Sequence, residues 1–405
     1  MKKVNLKVVS LFSGCGGLDL GFTGGFKHRQ YEFPKTGFEI VLANDFDADA
    51  SRVYQANKKY FTEHTFRSGD VRNIPSSEIP EFDVLLAGFP CQPFSNAGNR
   101  AGVHDKDGRG TLFYECERII KHSINQSNGK RPKAFIFENV RGILSSKMPD
   151  GLTVPEEITK KMTELGYNVA VKLLKTSDFG VPQNRHRVII VGVRSDIKAF
   201  NFNEMEKIVN EYNLPSASGD MYELTLGSIF SDIPKDALHY KDYWKYSASG
   251  QSMVDLIEPC KDGAEAFDKF NKKISLDNIS TTITQGRSWK NIPPELLSPR
   301  FKKIYDDPKK YHAPNFYRRF ALGEICGTIT ASAQPENCGI THPFENRRMT
   351  LREIARVQSF PDDFIFPYNS IAGAYKVIGN AVPPIFGWVL AKALGNHLNE
   401  YANNK

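Results

Sequence analysis

Four groups of residues in this chain have the types and spacings to do chemistry. The first is Pro90-Cys91-Gln92, with Pro93 following. A thiol held between two prolines sits where the backbone must turn, and a thiolate is a nucleophile. The alternative is a buried cysteine acting as a small hydrophobe. The second is Glu138, a carboxylate at the tip of the apolar run Lys133-Ala-Phe-Ile-Phe137. Such a group needs a partner. It is either a structural glutamate bonded to loop N–H groups or an acid kept protonated by burial. The third is Gln183-x-Arg185-x-Arg187. In an extended run these three share a face, and two guanidiniums there suit an anion, a base edge or a neighbouring carboxylate. The fourth is the turn Phe12-Ser-Gly14-Cys-Gly16-Gly17, followed by Asp45-Phe46 and Asp70 at the ends of later apolar runs. Glycines expose backbone N–H groups to a ligand. An acid ending the second strand is placed to hold a ribose, and Asp70 is placed to meet an adenine amino group. Helix-capping and turn roles are the plain alternatives for these aspartates.

The elements that must position these groups are legible as strands alternating with helices. Lys7–Phe12, Phe38–Ala43, a short strand ending near Asp70, Phe82–Gly88, Lys133–Phe137, Tyr167–Leu174 and Val188–Arg194 read as strands. Apolar residues recur at helical spacing from Leu112 to Ile124, and helices are also expected near Pro155–Leu165, Thr350–Gln358 and Ile385–His397. This alternation predicts an α/β fold with its ligands at the carboxyl ends of the strands. Ser95–Gly110 is polar and glycine-rich, and reads as a lid. Thr23–Gly37 reads as an irregular, exposed insertion.

With 405 residues the chain has room for two or three domains. No apolar run reads as a membrane span, and the start does not read as a signal peptide. Six cysteines without a CxxC pair or a His/Cys cluster indicate neither a metal site nor a disulfide framework, which favours a reducing compartment. The net charge of +7 is concentrated between Gly286 and Arg319, where nine Lys/Arg face three Asp/Glu with aromatics between them. That composition suits a phosphate backbone, or else a solvated face over ordinary core aromatics. The rhythm of elements becomes irregular after about residue 200. Two similar segments, Ser280-Thr-Thr-Ile-Thr284 and Gly327-Thr-Ile-Thr330, fall in this part.

Taken in order, Phe12-Ser-Gly-Cys-Gly-Gly17, Pro90-Cys-Gln92, Glu138-Asn-Val140, Gln183-x-Arg-x-Arg187, Arg348-x-Thr-x-Arg-Glu353 and Gly379-Asn380 resemble the motifs of the cytosine-C5 DNA methyltransferases. Asp45 stands where that family more often has glutamate. The resemblance implies a Rossmann-like mixed sheet flanked by helices, formed by residues 1–198 and completed by 346–405. A smaller, irregular β-rich domain at 199–345 would recognise the target. It implies S-adenosyl-L-methionine as cofactor, with Phe12 and Phe46 flanking the adenine, Asp45 on the ribose and Asp70 on the adenine amine. Gly14, Gly16, Gly17, Pro90 and Asn380 complete that set. Double-stranded DNA is the implied partner, contacted by Gln92, Ser95, Arg100, Gln183, Arg287 and Lys290. The resemblance further implies a cytoplasmic monomer, with a cognate restriction endonuclease acting separately.

By the same resemblance, Cys91 adds to C6 of a flipped cytosine, Glu138 stabilises charge at N3, and Arg185 or Arg187 holds the O2 side. Two alternatives are a transfer-RNA cytosine-C5 methyltransferase and a non-catalytic DNA-binding module. The length of the variable region favours duplex DNA, and the presence of both Cys91 and Glu138 favours catalysis.

Overall fold

The apolar run that precedes Cys91 forms a strand whose four residues, Val84–Ala87, are all buried. A computed structural model of the chain describes residues 5–61, 66–90, 112–259, 286–307, 316–332 and 340–403. Cys91, Gln92, Ser95 and Arg100 lie outside the described residues, as does Ser280–Thr284. The strands are β1 (Leu6–Leu11), β2 (Phe26–His28), β3 (Tyr31–Phe33), β4 (Phe38–Asp45), β5 (Phe66–Ser68), β6 (Val84–Ala87), β7 (Ala134–Val140), β8 (Tyr167–Lys175), β9 (Gln183–Asn184), β10 (His186–Arg194) and β11 (Cys326–Gly327). The helices are α1 (Gly17–Thr23), α2 (Ala48–Ala56), α3 (Phe113–Gln126), α4 (Val154–Glu164), α5 (Asn203–Glu211), α6 (Leu226–Ser231), α7 (Ala248–Leu256), α8 (Pro299–Asp306), α9 (Leu351–Val357), α10 (Ile371–Asn380) and α11 (Pro384–Asn403).

Seven strands form one sheet in the order β5-β4-β1-β6-β7-β10-β8. The run from β5 to β7 is parallel, and β10 is antiparallel to both β7 and β8. Helices cover both faces, which is why the central strands read as continuous apolar runs. One core cluster contains Val8, Val84, Ile136 and Ile189 and continues into α9, α10 and α11. The other contains Val9, Leu85 and Phe137 and continues into α3 and α4. From β1 the chain moves outward to β4 and β5, then returns to the other side of β1 as β6. The reversal falls between β1 and β6, where Leu11 pairs with Ala87, and open sheets of this kind hold their ligands in a crevice at the carboxyl ends of the strands at such a point.

Local signals explain the helix starts. Thr153 and Glu156 form a capping box for α4, with Pro155 in its first turn. Thr350 and Glu353 form another for α9. Within the Arg348-x-Thr-x-Arg-Glu353 motif, then, two positions are a helix cap. A third, Arg352, is buried and donates to the carbonyls of Leu238, Pro361 and Phe364.

Several expectations change. Thr23–Gly37 is not an exposed loop but contains the β2–β3 hairpin. Phe26 stacks on Phe33 at 4.8 Å, Phe33 meets Trp388 edge-on at 5.2 Å, and Arg29 pairs with Glu223 and Asp232. The core does not break near residue 200. Phe200, Phe202, Met205, Leu226 and Ile229 belong to the large core, whereas a separate small core gathers Met253, Val254, Ile257, Trp289, Ile292, Leu297, Phe301, Ile304 and Tyr317. Nor is the described part of 199–345 rich in strand. It holds β11 and isolated bridges such as Arg287 with Arg319, among helices and irregular chain. Finally, Ile371–Tyr401 is long and apolar enough to cross a membrane, contrary to expectation. This stretch spans α10 and α11, and its most apolar part is 83% buried inside the fold, as befits core helices.

Candidate active site

The turn after β1 is held in the left-handed region at Phe12, Gly14 and Gly16, with φ of 55°, 58° and 87°. Its glycines are required for different reasons. A Cβ at Gly16 would lie 2.7 Å from Phe61 and 2.8 Å from Tyr54, and one at Gly17 would lie 2.2 Å from the Val382 carbonyl oxygen. These two glycines therefore let the return segment and α2 pack close beneath the turn. Gly14 is the open one: a Cβ there would meet nothing within 4 Å. Its N–H donates to Asp45 Oδ2 at 2.7 Å, and Asp45 Oδ1 accepts from Asp47 N at 2.8 Å. Burial pushes the Asp45 carboxyl up, and those two N–H groups oppose the rise.

Phe46, just beyond Asp45, is 76% exposed, the most of any large apolar side chain among the described residues. Asp70 caps the turn Val71–Asn73 and is held by both Nε and Nη2 of Arg72, whose hydrogen bonds keep its carboxyl below the usual range. Asn380 ends α10 with its side chain exposed, and its carbonyl faces Arg185 Nη2 at 3.5 Å.

The second half of the crevice is built by β6, β7 and β10. Glu138 and Arg187 project from one face, and Arg187 Nε lies 2.6 Å from Glu138 Oε1. The strand-tip carboxylate thus has a guanidinium as partner. Gly88 follows β6 directly, and a Cβ there would lie 3.5 Å from Glu138 Oε2 and 3.7 Å from the Phe12 carbonyl oxygen. The glycine turn, the Glu138–Arg187 pair and the chain leading to Pro90 therefore converge.

One residue in this region was not singled out from sequence. Asn139 is buried at 2% exposure, and its Nδ2 donates to the Phe89 carbonyl at 3.2 Å while its Oδ1 accepts from Val140 N at 2.9 Å. It ties β7 to the segment entering Pro90-Cys91. The available signal was a primary amide inside an apolar strand.

The other two members of the Gln183-x-Arg-x-Arg187 set do not join Arg187. Gln183 is fully buried; its Nε2 donates to Gln358 Oε1 at 2.9 Å, and its Oε1 accepts from Ile329 N at 3.1 Å. Burial leaves it no surface for DNA, which corrects that expectation. Arg185 is buried too, and its Nη1 donates to the Ile329 carbonyl at 2.9 Å. Alternation fails because the chain is extended only over the short β9, which pairs with β11 before β10 begins. These two side chains join the segment around Ile329 to the return segment. Farther away, Arg287 pairs with Glu258, and Lys290 is exposed.

The comparisons bear on what this crevice is. Residues 6–396 match the family model described as C-5 cytosine-specific DNA methylase. The chain belongs to that family. The methylase is 33% identical over 395 residues to Type II methyltransferase M.FnuDI of Fusobacterium nucleatum, covering 98% of this chain and 96% of that one. It is 31% identical to Type II methyltransferase M.NgoPII of Neisseria gonorrhoeae, covering 96% and 95%. A solved structure from Escherichia coli, of a DNA modification methyltransferase encoded within a prophage, shares the fold. Its TM-score is 0.59 at 21% identity, over 97% of this chain and 99% of that one. The methylase is a DNA cytosine-5-methyltransferase whose methyl donor is S-adenosyl-L-methionine.

The residues at the crevice fit that donor. An open glycine turn, a buried aspartate with lone pairs to spare and an exposed aromatic ring suit a ligand carrying an amino acid, a ribose diol and an adenine.

Proposed function

We propose that the methylase modifies one cytosine within a short, specific duplex DNA sequence, through a covalent adduct between Cys91 and C6 of a flipped base. The observation that carries this reading is the Glu138–Arg187 pair beside Gly88, three residues before Cys91. Cytosine C5 is a poor nucleophile. Addition of the Cys91 thiolate forms an S–C6 bond and turns the ring into an enamine, nucleophilic at C5. Charge develops at N3, where Glu138 donates or shares a proton. Arg187 serves the same ring from a planar fork, orienting Glu138 while offering N–H donors to O2. S-adenosyl-L-methionine supplies an electrophilic methyl group to C5. Loss of the C5 proton and cleavage of the S–C6 bond then release Cys91. A target inside a duplex requires the base to leave the stack, which Ser95–Gly110 would cover.

For the donor, Asp45 is assigned the ribose, Phe12 and Phe46 the adenine faces, Asp70 the adenine amine, and Gly14 with Asn380 the methionine end. Pro90 shapes the edge shared with the base. Gln92, Ser95, Arg100, Arg287 and Lys290 are assigned to DNA. Target recognition is assigned to the part of residues 199–345 around the separate small core, between the catalytic segments 1–198 and 346–405, while residues 200–233 pack into the large core. The methylase works as a cytoplasmic monomer beside a separate cognate endonuclease.

The test uses duplex DNA with 5-fluorocytosine at the target, where fluorine replaces the proton that must leave C5. With cofactor present, the wild type should form a complex that survives denaturing electrophoresis, and Cys91→Ser should not. A Cys91→Ser protein that still traps the duplex would sink the mechanism.

A further inference from the structure

We infer that Lys376 is a positioning residue for the cofactor, acting on the ribose-side turn through Asp47 and Asp45. The inference rests on the assignment of Asp45 to the ribose.

Lys376 lies on α10, in the return segment, far in sequence from the turn it touches. Its Nζ forms an ion pair with Asp47 Oδ2. The other oxygen, Asp47 Oδ1, caps α2 by accepting from Asp49 N at 2.9 Å and Ala50 N at 3.2 Å. Asp47 N donates to Asp45 Oδ1 at 2.8 Å, and Asp45 Oδ2 accepts from Gly14 N at 2.7 Å. A continuous chain of polar contacts therefore runs from α10 to the open glycine of the cofactor turn. A second observation shows the same docking: a Cβ at Gly373, one turn before Lys376, would lie 2.6 Å from Asp49 Oδ2. Helix α10 packs against the start of α2 too closely for a side chain.

Each carboxylate oxygen of Asp45 has lone pairs beyond the one used, so ribose hydroxyls can be accepted without breaking the chain. What Lys376 adds is charge and orientation. Among the described residues Asp47, Asp19 and Cys15 couple to Asp45, Lys376 acts on it as a cation, and Asp49, paired with Arg52, also faces α10. Burial raises the Asp45 carboxyl, and the Lys376 ammonium opposes the rise. The Lys376–Asp47 pair is partly exposed, so its worth to overall stability is small. Its effect belongs to the turn.

The experiment titrates S-adenosylhomocysteine into full-length wild type, Lys376→Met, Lys376→Arg and Asp45→Ala by calorimetry, at neutral pH and down through the carboxylate range. Lys376→Met should weaken binding roughly twofold to fivefold. Its affinity should begin to fall at a higher pH than in the wild type, because Asp45 has lost its nearby cation. In turnover the defect should appear in KM for S-adenosylmethionine rather than in kcat. Lys376→Arg should restore both affinity and pH profile. A Lys376→Met protein with wild-type affinity and an unshifted profile, whatever its melting temperature, overturns the inference. If Asp45→Ala also binds normally, the ribose assignment itself has failed. If Asp45→Ala is impaired and Lys376→Met is not, the role of Lys376 alone has failed.

Discussion

Arg187 and Glu138 meet across antiparallel strands without being directly opposite one another. In the β7–β10 register Arg187 lies across from Val140 and Glu138 across from Ile189, so the 2.6 Å contact is diagonal. Only a long side chain makes that reach. The pair is only about a tenth exposed on either side, so each charge depends on the other. Glu138→Gln keeps the shape but removes the carboxyl that would share a proton with N3. Turnover should fall roughly a hundredfold to ten-thousandfold, with S-adenosylhomocysteine affinity retained. An unchanged single-turnover rate would refute the role.

Arg187→Lys keeps a charge and loses the fork. It should reduce turnover by an amount that overlaps with the loss in Glu138→Gln, because the two residues act together. The double variant is then less impaired than the product of the singles. Multiplicative losses in a double-mutant cycle would mean that the two work independently.

Asn139→Ala removes the side-chain donor that holds the buried Phe89 carbonyl. The expected cost is roughly 1–3 kcal/mol in urea unfolding. A fall in kcat should accompany it, since the Cys91 segment loses an anchor. Full activity with reduced stability would show that Asn139 serves the fold alone.

Gly16→Ala combines a φ of 87° with a Cβ driven into Tyr54 and Phe61. Strain of this kind costs about 1–3 kcal/mol. The melting temperature should drop, and the affinity for S-adenosylhomocysteine should drop with it. A variant that melts normally would place the true turn elsewhere.

Asp19 gives a pH dependence of defined sign. It is fully buried in α1, accepting from Ser10 at 2.6 Å and Tyr54 at 2.9 Å, and burial raises its carboxyl from 3.8 to about 6. Between those values the folded protein binds a proton that the unfolded chain releases. Its contribution is therefore fully present below 3.8 and lost as pH rises through about 6. The loss is on the order of 3 kcal/mol. Asp19→Asn has no such titration, so its stability relative to wild type should rise between about pH 4 and about pH 6 in urea unfolding. A relative stability that is flat or falls would contradict this.

Residues whose environment is local were legible in the sequence. The buried strands Val84–Ala87 and Ala134–Val140 and the helix Val154–Glu164 follow from apolar runs and periodicity within a few residues. What depends on distant partners was not. Gln183 looked like a surface residue because its partners, Gln358 and Ile329, are well over a hundred residues away. The β2–β3 hairpin looked like a loop because Phe33 finds cover on Trp388 and the His28 ring meets the Phe360 carbonyl, both far along the chain. Residues 200–233 looked like another domain because their contacts with the large core are likewise non-local. For Glu138 the need for a partner was legible, but its choice of Arg187 over a loop N–H was not.

The central claim is methylation of C5 in DNA at one short sequence. Expression in cells free of cytosine methylation, followed by bisulfite mapping of their DNA, tests it directly, with Cys91→Ser as the control. 5-Methylcytosine should be confined to one motif in the wild type and absent from the control. Folded wild-type protein that leaves every cytosine unmodified, or a Cys91→Ser protein that still methylates, would contradict it.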